Sequence, residues 1–472
     1  MTQVLDYFRK RKEDDPRFYY NFKLGEGKKV LSLFWSDGNS RRMYELYGDC
    51  VSFDTTYKTN RYNLPFAPFV GVTGHGHTCL FACAIIQNET AECFTWLFQE
   101  FLHCMGNKSP KTIITDQCLS MATSIPQVFP KTVHRNCFFH IRKKCDEKCG
   151  RSFATKANLH AEVSDILCNS LTIEEFEYLW QDMVQKYDVG HIKYFNAMWK
   201  NRAKFVPVYF KKDFFPFLHS TARSEGTNSV FKDNVGSTYS VISFLGEYQR
   251  ITKDIEEKER EQDSITRTTT PDYWVKSEIE YQAGRMYNRQ IFYKFQRQLG
   301  FTAKLHVDEI IKNERYEVYK TRMLAENDFR SRRFVVLVNL PIEDFSCICC
   351  KFQKDGILCS HILRVLVNLN ISELPAKYFI ERWKPQDRKV VRDKQYNVPL
   401  ELTEKNRHLR FTLLTKRLVD IASEGSRDNE RYLLVVKEAI QIEAKLDAIS
   451  TAQEEADKQK KNGIRQRTYV LM

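Results

Sequence analysis

The order of apolar and polar residues divides the first 150 positions into short strands and amphipathic helices. Short apolar runs bounded by turn residues indicate buried strands, and apolar residues three or four positions apart indicate helices. Strands are predicted at Val30–Trp35, Cys50–Tyr57, Phe66–Thr73, Thr78–Ile86, Thr112–Asp116 and Lys131–Asn136, and helices at Glu92–His103 and Leu119–Phe129. A three-stranded meander followed by alternating helix and strand predicts an α/β fold with a mixed sheet covered by helices.

Beyond residue 150 the strand signal is weaker. Residues 150–218 are predicted to be a helical insertion, and residues 240–330 are predicted to be helical with a solvated, charge-dense face. A strand at Arg333–Val338 and a helix at His361–Val367 follow. We therefore predict five segments: an N-terminal helix and strand (1–48), the core with its insertion (49–235), a charged helical region (236–330), a small knuckle (331–385) and a helical C-terminal region with a basic tail (386–472).

Composition narrows the class of protein. The 472 residues carry a net charge of +13 with a pI near 9.0, which favours polyanionic partners such as nucleic acid. The first residues lack the apolar block of a signal peptide, and no run approaches the ~20 apolar residues of a membrane span. The fourteen cysteines are therefore expected to be reduced thiols or metal ligands in the cytosol or nucleus.

Four soft ligands fall in two tight pairs near residue 350. Cys347 and Cys349 are one residue apart, and so are Cys359 and His361. Three thiols and an imidazole are a ligand set for a closed tetrahedral zinc site. With one pair on a hairpin and the other at a helix N-terminus, the chain is expected to close around Zn²⁺. Cys350 is a further thiol to which the pattern assigns no role.

A second group of residues is acidic. Asp54 lies in an apolar strand and Asp116 closes another one, so the two carboxylates meet if these strands are neighbours in the sheet. With Glu225 as the third acid, they would hold Mg²⁺ or Mn²⁺ as sites for phosphoryl transfer do. Taken singly, each acid is better explained as a strand-end carboxylate in a hydrogen bond or an ion pair, and it is the order of the three acids along the chain that favours a joint site. The residues near enough to Glu225 to meet phosphate are Arg223, Asn228 and Lys232.

Cys137 and His140 have the C-x-x-H spacing of metal ligands. They can form part of a zinc site if Cys145, Cys149 or His134 supplies the remaining ligands. The alternative, which the lack of an obvious second pair favours, is a small hydrogen-bonded structural pair close to the acidic residues.

These motifs together resemble a known domain. The segments Asp54–Tyr57, Pro65–Gly71, Thr112–Gln117, Cys137–His140 and Arg223–Glu225 are similar to the Mutator-like transposase domain. The resemblance implies an RNase H-like mixed sheet of the DDE transposase type with a helical insertion, followed by a helical region and a small zinc knuckle. It also implies that Asp54, Asp116 and Glu225 are the metal-binding acids.

The C-x-C and C-x-H pairs are similar to those of SWIM zinc fingers, so the whole chain resembles the plant far-red impaired response and far-red elongated hypocotyl family. That resemblance implies a nuclear transcription regulator without transposition activity, in light-responsive control of development. The implied partners are DNA and a second copy or a relative in a dimer, with no membrane and no small-molecule substrate. Family members usually carry an N-terminal DNA-binding zinc domain, and this sequence is expected to begin after it.

Two other functions fit the same residues. An active metal-dependent DDE transposase or nuclease would use the acidic triad directly. A shorter family member would instead act by dimerising with longer ones.

Overall fold

The computed structural model describes residues 2–57, 59–218, 220–234, 238–326 and 328–385, and further along the chain residues 414, 417–419, 421–422 and 424–469. The chain divides into two units. The first comprises Met1–Gln262 and Pro271–Gln386, and the second comprises Asp263–Thr270 and Asp387–Met472.

Seven strands of the described chain form the larger sheet of the first unit. Its order is β1-β2-β5-β4-β3-β6-β7, with antiparallel pairing everywhere except at β3–β6 and β6–β7, which are parallel. The mixed α/β architecture is therefore confirmed. The strands are Tyr19–Leu24 (β1), Val30–Ser36 (β2), Cys50–Phe53 (β3), Phe66–Val72 (β4), Thr78–Ile85 (β5), Thr112–Thr115 (β6) and Val133–Asn136 (β7).

Helices cover both faces of this sheet. Aromatic residues fill the space between them, for example Phe69 of β4, which stacks on Phe101 at 4.1 Å between ring centroids. Thr90 begins one of these helices by accepting a hydrogen bond from the Cys93 N–H through its side chain, as an N-cap residue does. The helices are Thr2–Asp14 (α1), Gly38–Tyr47 (α2), Ala91–Cys104 (α3), Leu119–Val128 (α4) and Phe138–Thr155 (α5).

The segment predicted to be a helical insertion is helical in the structure. It has its own apolar core, in which Trp180 packs edge-on against Phe195. The chain then returns to the sheet, where Phe231 packs against Phe66 of β4. The helices in this part are Leu159–Asn169 (α6), Ile173–Lys186 (α7), Lys193–Asn201 (α8), Ala222–Asn234 (α9) and Val241–Thr268 (α10).

The prediction of helix up to residue 330 is wrong for residues 305–320. After helices Glu278–Met286 (α11) and Arg289–Phe301 (α12), Leu305–Ile311 (β8) and Arg315–Lys320 (β9) form an antiparallel hairpin. In β9, Tyr316 and Val318 are buried, while the alternate residues Arg315 and Glu317 are more exposed. This period of two indicates a half-buried strand, which the high charge density concealed.

The hairpin belongs to a second, four-stranded sheet of order β11-β10-β9-β8. The predicted strand at Arg333–Val338 and helix at His361–Val367 are both present, with bounds shifted by one residue. The remaining elements are Arg322–Ala325 (α13), Phe334–Asn339 (β10), Asp344–Cys347 (β11), Lys351–Asp355 (α14) and Ser360–Asn368 (α15).

Buried polar contacts join residues that flank this smaller sheet in the chain to the larger sheet. Arg382 follows α15 in the chain, and its guanidinium donates to the Val72 carbonyl (2.6 Å) and pairs with Asp49 (2.5 Å). Asn288, at the start of α12, donates to the Gly74 carbonyl (2.9 Å). The smaller sheet and the larger sheet therefore share one compact unit.

The second unit includes the 41-residue helix Asn429–Tyr469 (α16). Several of its apolar side chains are exposed, among them Ile442, Leu446 and Ile449. Among the described residues, no helix combines the length and the apolar character that crossing a membrane requires.

Candidate metal centres

The two aspartates predicted to meet lie at the carboxyl ends of neighbouring parallel strands. Ser52 of β3 pairs with Ile114 of β6, so continuing the same register places Asp54 beside Asp116. On the other side of β6, Thr115 pairs with Asn136, and the next step places Cys137 beside Asp116. Because parallel strands are about 4.8 Å apart, three chemically active side chains line one edge of the sheet.

Burial of Asp54 changes its acidity. Its Oδ1 accepts a hydrogen bond from the Thr55 N–H (2.9 Å), and its Oδ2 accepts one from the Asn228 amide (3.4 Å). Burial raises the pKa of Asp54 to about 6, and the negative charge of Asp116 adds to the shift. The site therefore favours a cation or a proton at this position.

The pKa of Asp116 is shifted in the same direction as that of Asp54. Burial raises its pKa above the ordinary value, against the opposing effect of His140. Its Oδ1 is buried and has no hydrogen-bond partner within the described part of the chain. A buried carboxylate oxygen without a donor is costly, so this oxygen is available as a ligand.

Glu225 reaches the same edge from α9. The hydroxyls of Ser52 and Ser224 are hydrogen-bonded at 2.6 Å, which fixes the first turn of α9 over the end of β3. Glu225 Oε1 accepts from the Thr221 hydroxyl (2.8 Å) and lies 3.8 Å from Nε2 of His140. The structure therefore brings Asp54, Asp116 and Glu225 to one edge of the sheet.

Cys137 and His140 also lie at this edge, at the N-cap and in the first turn of α5. Their ligand atoms and a carboxylate oxygen of Glu225 all lie within 4.8 Å of one another. Contact with the Cys137 thiol raises the pKa of His140. Burial pushes the pKa of Cys137 upwards, but the neighbouring His140 ring and the hydrogen bond from the Thr221 N–H outweigh it and lower the pKa overall.

The partners that the sequence offered to this pair are engaged elsewhere. Cys145 and Cys149 lie in the core of the insertion and hydrogen-bond to each other. His134 Nε2 lies 2.9 Å from the Thr115 hydroxyl, and burial lowers its pKa to about 4. Glu225 is the residue that joins Cys137 and His140. Sequence spacing gave no signal for it, since it lies 85 positions beyond His140.

Two of the three residues expected to meet phosphate have other contacts. Arg223 donates to the Gly76 carbonyl (2.9 Å) and the Thr78 hydroxyl (3.2 Å), and burial lowers its pKa. Asn228 is buried against Asp54. Lys232 lies in α9, but its side chain is outside the described part of the structure. Contact of these three residues with nucleic acid stays a prediction.

The second candidate centre is the Cys347, Cys349, Cys359 and His361 group, whose ligand atoms lie within 4.8 Å of one another. Cys347 ends β11, while Cys359 is the N-cap of α15. The Sγ of Cys347 lies 3.7 Å from Nδ1 of His361. A hairpin end and a helix N-terminus thus supply one ligand pair each, and the donors fit Zn²⁺.

The surroundings of this group orient its ligands. Phe334 stacks on the His361 ring at 3.8 Å between centroids, a contact that the sequence did not indicate. Hydrogen bonding with Cys347 lowers the pKa of Cys349, and burial raises the pKa of Cys359. Cys350, in contrast, has a left-handed backbone (φ 52°) and its thiol donates to the Ile348 carbonyl. Cys350 is therefore held outside the four-ligand group.

Two domain profiles match the segments that contain most of these residues. The profile of the MULE transposase domain matches residues 50–144, which include Asp54, Asp116, Cys137 and His140. The profile of the SWIM zinc finger matches residues 334–370, which include the four-ligand group. The fold and its two centres thus define a transposase-type domain combined with a SWIM zinc finger.

Three relatives from Arabidopsis thaliana match most of the chain. Protein FAR1-RELATED SEQUENCE 5 is 31% identical over 90% of this chain and 54% of its own length, and FAR1-RELATED SEQUENCE 7 is 31% identical over 80% and 49%. Protein FAR-RED IMPAIRED RESPONSE 1 is 27% identical over 93% and 52%. The chain belongs to the family of FAR-RED IMPAIRED RESPONSE 1 and its related sequences. It spans about half the length of these curated relatives.

Proposed function

We propose that the protein is a nuclear, zinc-binding transcription regulator derived from a Mutator-like transposase, and that it acts in light-responsive control of plant development. The family supports this descent, and the name of FAR-RED IMPAIRED RESPONSE 1 supports the link with light. We also infer an RNase H-like fold for the larger sheet. Within this sheet, the antiparallel strands β3, β4 and β5 are followed in the chain by the parallel strands β6 and β7, with acids at the shared edge, and this order supports the inference.

The environment of Glu225 is the observation that carries the regulatory function. A two-metal site needs its third carboxylate directed at an ion that also contacts the aspartates. Glu225 instead accepts a hydrogen bond from Thr221 and lies against His140. This arrangement favours a protein that has the fold of a transposase but in which Glu225 does not bind a catalytic metal ion together with the aspartates.

Zinc has a structural role in this proposal. Cys347, Cys349, Cys359 and His361 would hold one Zn²⁺, which stabilises small folds by fixing distant segments. Here the fixed segments are the end of β11 and the start of α15. The ion would therefore stabilise the smaller sheet and its packing against α15.

DNA is the proposed partner because the chain carries a net charge of +13. The test is the affinity of the full chain for a mixed-sequence duplex, measured by fluorescence anisotropy between 50 and 200 mM salt. Release of counterions from six or more phosphates weakens binding by about 10³-fold or more over this range. An affinity that does not change with salt would remove DNA as a partner.

One observation favours a second function, a metal-dependent nuclease or transposase. Asp54 and Asp116 lie at matched positions directly after neighbouring strands, and burial raises the pKa of both. Carboxylates so placed would bind Mg²⁺ or Mn²⁺ and position the attacking water at a phosphate.

A plasmid-nicking assay with Mn²⁺ separates the two functions. We expect no nicking by the wild-type protein. Nicking that is lost in Asp54→Ala and kept in Asp146→Ala, an exposed acid paired with His160, would establish the nuclease and displace the regulator. The salt dependence of DNA binding is independent of this outcome.

A further inference from the structure

We propose that Cys137, His140 and Glu225 form a second zinc site, distinct from the SWIM group. Their Sγ, imidazole nitrogen and carboxylate oxygen lie within 4.8 Å of one another. Cys137 is fully buried at the start of α5, and Glu225 approaches from the first turn of α9. The ion would therefore connect two helices to the edge of the larger sheet.

The donor set selects the metal. One thiolate, one imidazole and one carboxylate are ligands that Zn²⁺ accepts together, and three protein ligands leave a fourth position for water or substrate. Mg²⁺ and Ca²⁺ prefer oxygen ligands alone, so a buried thiolate disfavours them. The chemistry of this group therefore differs from that of the Asp54 and Asp116 pair beside it.

Thr221 holds two of the three ligands in place. Its backbone N–H donates to Cys137 Sγ (3.3 Å), and its hydroxyl donates to Glu225 Oε1 (2.8 Å). The Thr221 side chain is itself fully buried. Outer hydrogen bonds of this kind orient the ligands of protein metal sites, and their loss costs about 10–100-fold in metal affinity.

A cluster without a metal ion, held by hydrogen bonds alone, explains the surroundings of the His140 ring less well than a zinc site does. Its Nε2 lies 3.8 Å from Glu225, beyond hydrogen-bond distance, and its Nδ1 is buried without a hydrogen bond of regular geometry in the described chain. Buried ring nitrogens are normally satisfied by a partner. An ion between His140, Cys137 and Glu225 would satisfy the ring.

This inference goes beyond the regulatory function and does not depend on it. Zinc bound here would occupy Glu225 and keep it from completing an oxygen-ligand site with Asp54 and Asp116. The open fourth position would lie at the same sheet edge, near the unpartnered Oδ1 of Asp116.

The test is the zinc content of the full chain, measured by mass spectrometry after dialysis without chelator. We expect two Zn²⁺ per wild-type chain, one in Cys137→Ser and one in Cys359→Ser, which lacks a SWIM ligand. Cys104→Ser removes a buried thiol of α3 outside both groups and should keep two. A single Zn²⁺ in the wild type, or an unchanged content in Cys137→Ser, would overturn the proposal.

A second variant covers the case in which Cys137→Ser does not fold. Glu225→Gln keeps the shape of the side chain and removes the charged ligand. In competition with a chromophoric chelator, this variant should bind one of the two zinc ions more than about tenfold more weakly than the wild type does and bind the other with unchanged affinity. Equal affinities in Glu225→Gln and the wild type would refute the site. Neither outcome bears on the salt dependence of DNA binding.

Discussion

At the scale of single residues, burial decides the properties of the acidic edge. Asp54 and Asp116 follow apolar strands, so folding places both carboxylates away from bulk water and raises their pKa values. Their identity and the strand-end position of Asp116 were readable from the sequence, whereas the strand predicted to contain Asp54 ends at Phe53 in the structure. The contacts of Glu225 were not readable from the sequence, because Thr221 and His140 approach it from different elements.

The raised pKa of Asp54 predicts a pH-dependent stability. As pH rises from about 4 to about 6, the unfolded carboxyl ionises first, so this group lowers stability over that window and its cost is complete above pH 6. Asp54→Asn removes the cost. Its stability relative to the wild type should therefore increase by up to about 3 kcal/mol between pH 4 and pH 7, as measured by denaturant unfolding without added divalent ions.

His134 titrates in the same range with the opposite sign. Its lowered pKa makes the neutral imidazole part of the folded state, so its contribution to stability rises from about pH 4 to 6.5. Because wild type and Asp54→Asn share His134, this contribution cancels in their difference. A difference that is the same at pH 4 and pH 7 would contradict the burial of an ionised Asp54.

Gly356 is a second residue whose role is explained only by the tertiary structure, because its surroundings leave no room for a larger side chain. Its φ of +72° ends α14, and an added Cβ would lie 2.4 Å from Ile380 Cδ1 and 2.6 Å from Trp383 Nε1. Gly356→Ala should therefore destabilise the protein by about 2–4 kcal/mol in urea unfolding. Gly150→Ala is the matched control, because Gly150 lies within α5 with open space around it. That change should be neutral or stabilising, and equal losses in both variants would count against the steric explanation.

At the scale of elements, the local pattern of apolar residues was sufficient to predict a helix or a strand where it fitted only one of the two. The two strands that precede the aspartates were predicted because they are short apolar runs. The helical insertion was predicted because its apolar residues have helical spacing. The hairpin of β8 and β9 was missed because its exposed positions are charged and its buried positions are few. A half-buried strand and a solvated helix are both rich in charged residues, and only the spacing of their apolar residues along the chain distinguishes the two.

The connection between the two sheets predicts a large effect at Arg382. Its guanidinium is almost fully buried and satisfies Asp49 and the Val72 carbonyl. Arg382→Ala leaves the partly buried Asp49 without its cation and should cost about 3 kcal/mol in stability. Lys253→Ala, which breaks an exposed pair with Glu257 on α10, should change stability little. Similar losses in the two variants would show that Arg382 is not a buried connection.

At the scale of the whole molecule, the predicted boundaries at residues 235 and 330 both fall within one compact unit. One apolar cluster contains Cys50 and Ile114 of the larger sheet together with Val336 and Leu363 of the zinc-finger segment. Folding of the two sheets is therefore expected to be coupled through a shared core.

This coupling predicts the effect of removing zinc. Cys359→Ser should release the SWIM zinc ion and increase hydrogen exchange in β8–β11, because the metal holds β11 against α15. Exchange should also increase in β3 and β6, whose residues share the core, and least in β1 at the far edge of the larger sheet. Protection unchanged throughout β8–β11 would show that the thiol is not a zinc ligand.

The sequence by itself determined the elements with a clear period, the four-ligand group and the two aspartates, because each depends on residues close together in the chain. Zinc ligands in two pairs need only a short loop to meet. The tertiary structure alone decided that Glu225 joins Cys137 and His140, that Arg382 reaches Asp49, and that the two sheets share a core. These contacts join residues 85 to 333 positions apart, and only packing of whole elements brings such residues together.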